Sequence, residues 1–255
     1  MRALPARDLL EVWDRGACQA PCERALALLA AASPEAAAED LARLSIGRRD
    51  GLLLDLREQT FGAELVSVAS CPGCGEGLET TFRAADIRAV PEAEAADPLE
   101  LTSGAWTVRF RLPDSTDLTA LTVAGDAGEP RDAGGEGGEG GRALLLARCV
   151  LSVELGGRPA IAAELPEEVT RALAERMERS DPQAEVRIAL TCPSCGHRWE
   201  SVFDILSFFW SEIAAWAEHT LREVHVLASA YGWREPDVLA LGPRRRQLYL
   251  RLVGE

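Results

Sequence analysis

The sequence predicts an α+β fold: mostly helical N- and C-terminal segments around a small β core that carries an inserted α/β region. Three observations predict it. Near the C-terminus Leu206, Trp210, Ile213, Ala217, Leu221, Val224, Ala228 and Tyr231 step by three or four, one apolar helical stripe. Glu64–Ser70, with Leu65, Val66 and Val68, reads as an extended run, Glu185–Thr191 alternates Val186, Ile188 and Leu190 with other residues, the period of a strand, and each runs into a Cys-x-x-Cys pair. Between the two pairs, Trp106, Val108, Phe110 and Leu112 alternate with polar residues, a further half-buried strand that belongs to neither pair.

The elements follow in chain order. Residues 1–63 form an N-terminal helical segment. Leu9, Leu10, Val12 and Trp13 open it, and Arg24–Ala32 is rich in alanine and leucine. Ser33-Pro34-Glu35 predicts a new helix, with serine as N-cap and proline in the first turn. Gly47 interrupts, and Arg49–Gln59 resumes with Leu52, Leu53 and Leu56 on one side. Residues 64–90 and 183–203 form two strand–turn–strand units. Residues 98–182 are the inserted region. In it the Gly/Glu-rich 125–141 reads as a flexible loop, Arg142–Val150 as helix, and Glu154–Arg158 as a hairpin turn. Pro166–Arg179 is a helix with Glu167 and Glu168 at its positive end. Residues 204–255 are a C-terminal helical segment, broken at Gly232 and again at Gly242-Pro243.

Composition limits the function. The chain has 255 residues, 47% of them hydrophobic and 27% charged, an ordinary globular balance. Nothing approaches the ~20 apolar residues that span a bilayer, and Met1–Leu10 lacks the apolar run of a signal peptide. A bacterial cytoplasmic location is expected, and there cysteines stay reduced. The net charge of −14 repels phosphate backbones and anionic membranes.

The chemistry concentrates in Cys71-Pro72-Gly73-Cys74-Gly75 and Cys192-Pro193-Ser194-Cys195-Gly196. In both, glycine follows the second cysteine and frees the backbone to point amides at sulfur. Two such knuckles supply four thiolates, the donor set of one structural zinc ion held tetrahedrally at ~2.3 Å. The separation is too long for a compact finger, so the two hairpins are expected to meet as a discontinuous zinc ribbon. A redox dithiol would sit at a helix N-terminus, whereas β-rich sequence follows each pair. His197 is the alternative ligand, needed only if a cysteine were missing. Cys18, Cys22 and Cys149 read as unliganded thiols. No nucleophile elbow, phosphate-binding loop or metalloprotease helix is present, so no catalytic residue is assigned. Phe209, Trp216, Tyr231, Trp233 and the run Arg244-Arg245-Arg246 are candidates for partner binding.

Three segments carry a family resemblance: LDLREQTFG at Leu54–Gly62, DPQAEVRIALTCPSCGHRWESVFDILSFFW at Asp181–Trp210, and REVHVLASAYGWREPDVLALGPRRRQLYLRL at Arg222–Leu252. Together they resemble the baseplate hub assembly chaperone family of contractile-tailed phages and its relatives in phage-derived contractile injection systems. The most specific part is the Tyr231-Gly232-Trp233 turn with the arginine run; residues 1–50 and 125–141 lie outside the resemblance. The resemblance implies no enzymatic activity. It implies binding to baseplate hub, spike or tube-initiator proteins, as a transient chaperone or a subunit retained in the tail-like particle. The competing reading is a zinc-ribbon nucleic-acid or transcription-associated module. It requires basic residues around the knuckles, where Arg83 and Arg198 stand nearly alone.

Overall fold

The computed structural model describes residues 1–89, 98–126 and 137–254. Helix α1 (Ala6–Gly16) runs into α2 (Pro21–Ala32), then a short α3 (Ala38–Ala42) and α4 (Ile46–Phe61). The helix expected at Ser33-Pro34-Glu35 does not start there. The Ser33 N–H donates to Leu29 O at 2.8 Å and completes α2 instead, residues 34–36 turn, and α3 begins at Ala38. Gly47 does not interrupt a helix either; it lies in the first turn of α4, capped by the Ser45 hydroxyl.

Strands β1 (Glu64–Ser70) and β2 (Gly77–Arg83) form the first hairpin, and β7 (Val186–Thr191) and β8 (Arg198–Phe203) form the second. Both are two-stranded and antiparallel, and alternate residues of each turn inward. Between them lies the insert. Strands β3 (Leu99–Ser103), β4 (Trp106–Phe110), β5 (Val150–Leu155) and β6 (Arg158–Ala160) make one antiparallel sheet in that order. Helices α5 (Ser115–Asp126), α6 (Gly137–Cys149) and α7 (Glu167–Ser180) accompany it. The loop expected over 125–141 is helical at both of its ends, where α5 reaches Asp126 and α6 begins at Gly137; its residues 127–136 lie outside the described residues. Glycine's poor helix propensity hid the start of α6. The insert has its own core of Val108, Phe110, Val153, Val169 and Leu173. Arg111 and Arg148 both pair with the buried Asp117 in α5 and draw that carboxyl down to about 2, against the effect of its burial.

The long α8 (Ile205–Tyr231) ends at Gly232, whose φ of 67° is the left-handed cap that glycine alone takes without strain. Helices α9 (Glu235–Leu239) and α10 (Pro243–Val253) follow. The helices of residues 1–63 and the first half of α8 share one core: Leu9, Leu28, Leu29, Leu53, Leu54, Leu56, Phe209 and Ile213 are all fully buried. Leu65 at the base of β1 and Ala84 after β2 join it, so the first hairpin is rooted in the helical body. Arg57 of α4, itself buried, grips Glu212 of α8 with two hydrogen bonds of 2.8 and 2.6 Å.

Candidate metal centre

Each knuckle is built by its own strands. The Cys71 N–H donates to Glu76 O at 2.8 Å, and the Gly75 N–H donates to Cys71 O at 2.9 Å. The second knuckle repeats this: Cys192 N–H to His197 O at 2.8 Å, and Gly196 N–H to Cys192 O at 3.0 Å. Gly75 and Gly196 take φ values of 77° and 73°, which closes the turn where a side chain would strain it. The same five-residue pattern therefore makes the same turn twice.

The hairpins bring the two turns together. The Sγ atoms of Cys71, Cys74, Cys192 and Cys195 all lie within 4.8 Å of one another. Cys71 and Cys195 sulfurs are 3.7 Å apart, as are those of Cys74 and Cys192. Cys71 and Cys192 are buried, and Cys74 and Cys195 are exposed. Backbone amides point inward: the Gly73 N–H donates to Cys71 Sγ at 3.4 Å. The Cys195 amide, helped by that of Ser194, holds the Cys192 thiol down at about 7. At Cys74 the Glu76 amide pulls the other way, but the crowding sulfurs of Cys195 and Cys192 push that thiol up to about 12. Four sulfurs this close cannot all ionise unless a cation sits among them, and the set is one that could hold a metal ion.

His197, the alternative ligand, lies outside the cluster. Its ring stacks on Trp199 at 5.9 Å, and a Cβ on Gly73 would meet it at 3.3 Å. Gly73 thus leaves room for a contact between the two knuckles. Cys18 is exposed in the turn after α1, Cys22 lies beside the buried Arg49, and Cys149 is buried beside Asp117.

What carries the second knuckle to the first was not singled out in the sequence. Asp181 stands in Asp181-Pro182, legible only as a helix stop. Its carboxylate accepts from the Gly47 N–H at 2.8 Å, and burial raises its pKa against that bond. A Cβ on Gly47 would fall 2.2 Å from Asp181 Oδ1, so the glycine makes room for the contact. The buried Gln183 side chain accepts from the Ala89 N–H at 2.7 Å and donates to Ile87 O at 3.4 Å. The chain entering β7 is thereby fastened to α4 and to the end of the first hairpin.

The other candidate residues divide. Phe209 is fully buried and makes an edge contact with Phe61, so it presents nothing to a partner. Arg246 is also buried, turned inward towards Glu223. Both corrections have one cause. The buried face of α8 passes through Phe209, Ile213 and Ala217, and α10 packs on that helix further along, through Arg246 and Gln247 to Glu223. Trp216 is half-buried. Tyr231, Arg244 and Arg245 are exposed, and Tyr231 stacks on the half-buried Trp233, 4.7 Å away.

No helix among the described residues is long and apolar enough to cross a membrane. A family model described as T4 bacteriophage base plate protein matches residues 27–210. The match includes residues 27–50, which the sequence resemblance left out, and stops short of Arg222–Leu252, which that resemblance weighted most. No curated protein and no solved structure matches the chain.

Proposed function

The chain belongs to the T4 bacteriophage base plate protein family, and from that premise we propose that it is a non-enzymatic assembly chaperone or structural component for a baseplate hub. It acts, in a phage tail or a contractile injection system, by protein–protein binding, and is built around one structural zinc ion. The observation that carries this reading is the family match, which spans both knuckles and the insert. Its partners are hub, spike or tube-initiator proteins, met in the bacterial cytoplasm or within the particle.

Zinc suits the donors. A tetrahedron with Zn–S near ~2.3 Å has edges of about 3.8 Å, against sulfur separations of 3.7 Å across both Cys71–Cys195 and Cys74–Cys192. Four protein ligands leave no position for water or substrate, which is the signature of a structural site. When bound, the ion supplies the positive charge that lets four thiolates stand together. The partner surface is assigned to Tyr231, Trp233, Arg244 and Arg245, an aromatic and cationic patch on an otherwise acidic chain. Such a patch favours an acidic stretch on the partner. The nucleic-acid reading is disfavoured because exposed Glu76, Glu79 and Glu200 offset Arg83, Arg187 and Arg198 around the hairpins.

The test is a tagged pull-down from the native host beside a blot of purified sheathed particles. Recovery of hub or spike proteins from lysate is expected, with capture reduced by Arg244→Ala combined with Arg245→Ala while melting is unchanged. Signal in particles assigns a retained subunit, and its absence assigns a chaperone. Recovery of nucleic acid or polymerase in place of baseplate proteins overturns the reading.

A further inference from the structure

Helix α10 has a second face besides the one that packs on α8. Arg246, Tyr249 and Leu250 turn inward, towards Glu223 and the small core of Val224, Leu227 and Val238. Arg244, Leu248, Arg251 and Leu252 stand at i, i+4, i+7 and i+8, so they share the opposite side of the helix, with Arg245 on its flank. All five are exposed, Leu248 by 53% and Leu252 by 51%. The neighbouring arginines are engaged, Arg222 by Glu218, Arg234 by Asp237 and Arg246 by Glu223, whereas Arg244, Arg245 and Arg251 pair with no carboxylate among the described residues.

Three such guanidiniums around two exposed leucines, on a chain of net charge −14, select a counterpart by charge: carboxylates set around an apolar strip. The backbone form of the counterpart follows from what the face offers. The backbone of α10 is largely committed within the helix, and arginine and leucine side chains carry no acceptor. An extended peptide laid here would give up water and leave its own N–H groups without acceptors. A helix arrives with those groups already satisfied, and leucines one turn apart form a ridge that packs into the groove of a second helix. A second copy of this chain fits less well, because two bodies at −14 repel each other. An anionic membrane fits less well too, because two leucines make a narrow apolar strip and the rest of the chain is repelled by the same charge.

We propose that the outward face of α10 receives an acidic amphipathic helix of the partner protein. The apolar side chains of that helix pack on Leu248 and Leu252, and its Asp and Glu side chains pair with Arg244, Arg245 and Arg251. Recognition of an amphipathic helix by its apolar face is an established mode. The inference rests on the reading that this protein binds baseplate proteins through its cationic patch, and it extends that patch to Leu248, Arg251 and Leu252.

The experiment is fluorescence anisotropy and circular dichroism of the full chain with a labelled peptide of five helical turns, N-acetylated and C-amidated, with leucine at every third or fourth position and glutamate on both flanks. The controls are the same peptide with lysine for glutamate and with serine for leucine. The acidic peptide is expected to bind and to gain helicity on binding. The lysine control binds about 10-fold or more weakly, and so does the serine control. Arg244→Glu combined with Arg251→Glu inverts the preference, so that the lysine peptide binds better than the acidic one. Leu248→Asp abolishes binding of the acidic peptide. All three positions are exposed, so melting is unchanged in both variants. Equal affinity for the acidic and lysine peptides, no binding at millimolar concentration, or a bound peptide that gains no helicity each overturns the proposal. So does binding of anionic vesicles or of a DNA oligonucleotide with the acidic peptide left free. Baseplate capture that Leu248→Asp leaves intact defeats this inference only. Peptide binding without baseplate capture defeats the functional reading only.

Discussion

The knuckle end of the two hairpins and the helical body beneath them are held by different forces. At the knuckles the buried apolar set is Cys71, Leu78 and Cys192, with Trp199 packed against it. The body buries eight large side chains completely, from Leu9 through Ile213. Full burial of one such side chain contributes about 1.5–3 kcal/mol, so one leucine and a tryptophan cannot order four strands. Isolated two-stranded hairpins are marginal in water. The comparison teaches that the cysteines gather where apolar packing is thin: the hairpins are anchored at their bases by packing, and four sulfurs meet at their tips.

The largest effect should come from breaking that closure. Structural zinc contributes on the order of 10 kcal/mol to the unit whose folding it is coupled to. Chelation, Cys71→Ser or Cys192→Ser should each remove one metal equivalent. Hydrogen exchange should then rise in β1, β2, β7 and β8 near the knuckles, with α4 and the first half of α8 still protected. Unchanged metal content in either variant would show that the four sulfurs do not form one site. Equal loss of protection in α4 and α8 would break the comparison itself, because the body would then depend on the metal.

The complementary change is in the body. Phe209→Ala removes a fully buried ring that packs edge-on to Phe61. Phe→Ala in a core costs about 3–5 kcal/mol. Denaturant unfolding should report that loss, while the metal content stays at one equivalent per chain. Loss of metal along with stability would mean that the knuckles cannot assemble without an intact base.

How much of this was legible in the sequence follows from the range of each interaction. Both hairpins, the α8 stop at Gly232 and the Gly156-Gly157 turn were readable, because each is decided by a local pattern or a positive φ. The four cysteines were readable because thiolate pairs at that spacing have few other uses. The start of α6 and the start of α3 were misread. Glycine signals a break that α6 does not show, and Ser33, read as an N-cap, has its N–H committed to Leu29 O at the end of α2, so the next helix begins only at Ala38. The orientation of α8 was only partly legible, since aromatic residues on several faces do not say which face meets α4. The anchor from Asp181 to Gly47, and the inward turn of Arg246 towards Glu223, join residues of separate elements and leave no local mark.

The smallest effect sharpens the comparison by asking whether charge also holds the body. Arg49 and Asp50 of α4 pair at 2.7 Å within it. Burial lifts the Asp50 carboxyl from its ordinary 3.8 to about 6, against the pull of Arg49 and with Asp204 and Asp181 nearby adding to the rise. The folded chain therefore binds that proton more tightly than the unfolded chain between about pH 4 and 6. Stability from this group is present at the acid end of that window and is lost as pH rises through 6. The loss is at most about 3 kcal/mol. Asp117 in the insert has the opposite sign: held at about 2 by its two arginines, it stabilises above 3.8 and loses that contribution only as pH falls towards 2. Asp50→Asn stays neutral throughout, so its stability relative to the unmodified chain should rise between pH 4 and 7. Taking that difference cancels any metal loss the two chains share. Parallel stability curves would mean that Arg49 fully compensates Asp50, leaving apolar burial as the main support of the body.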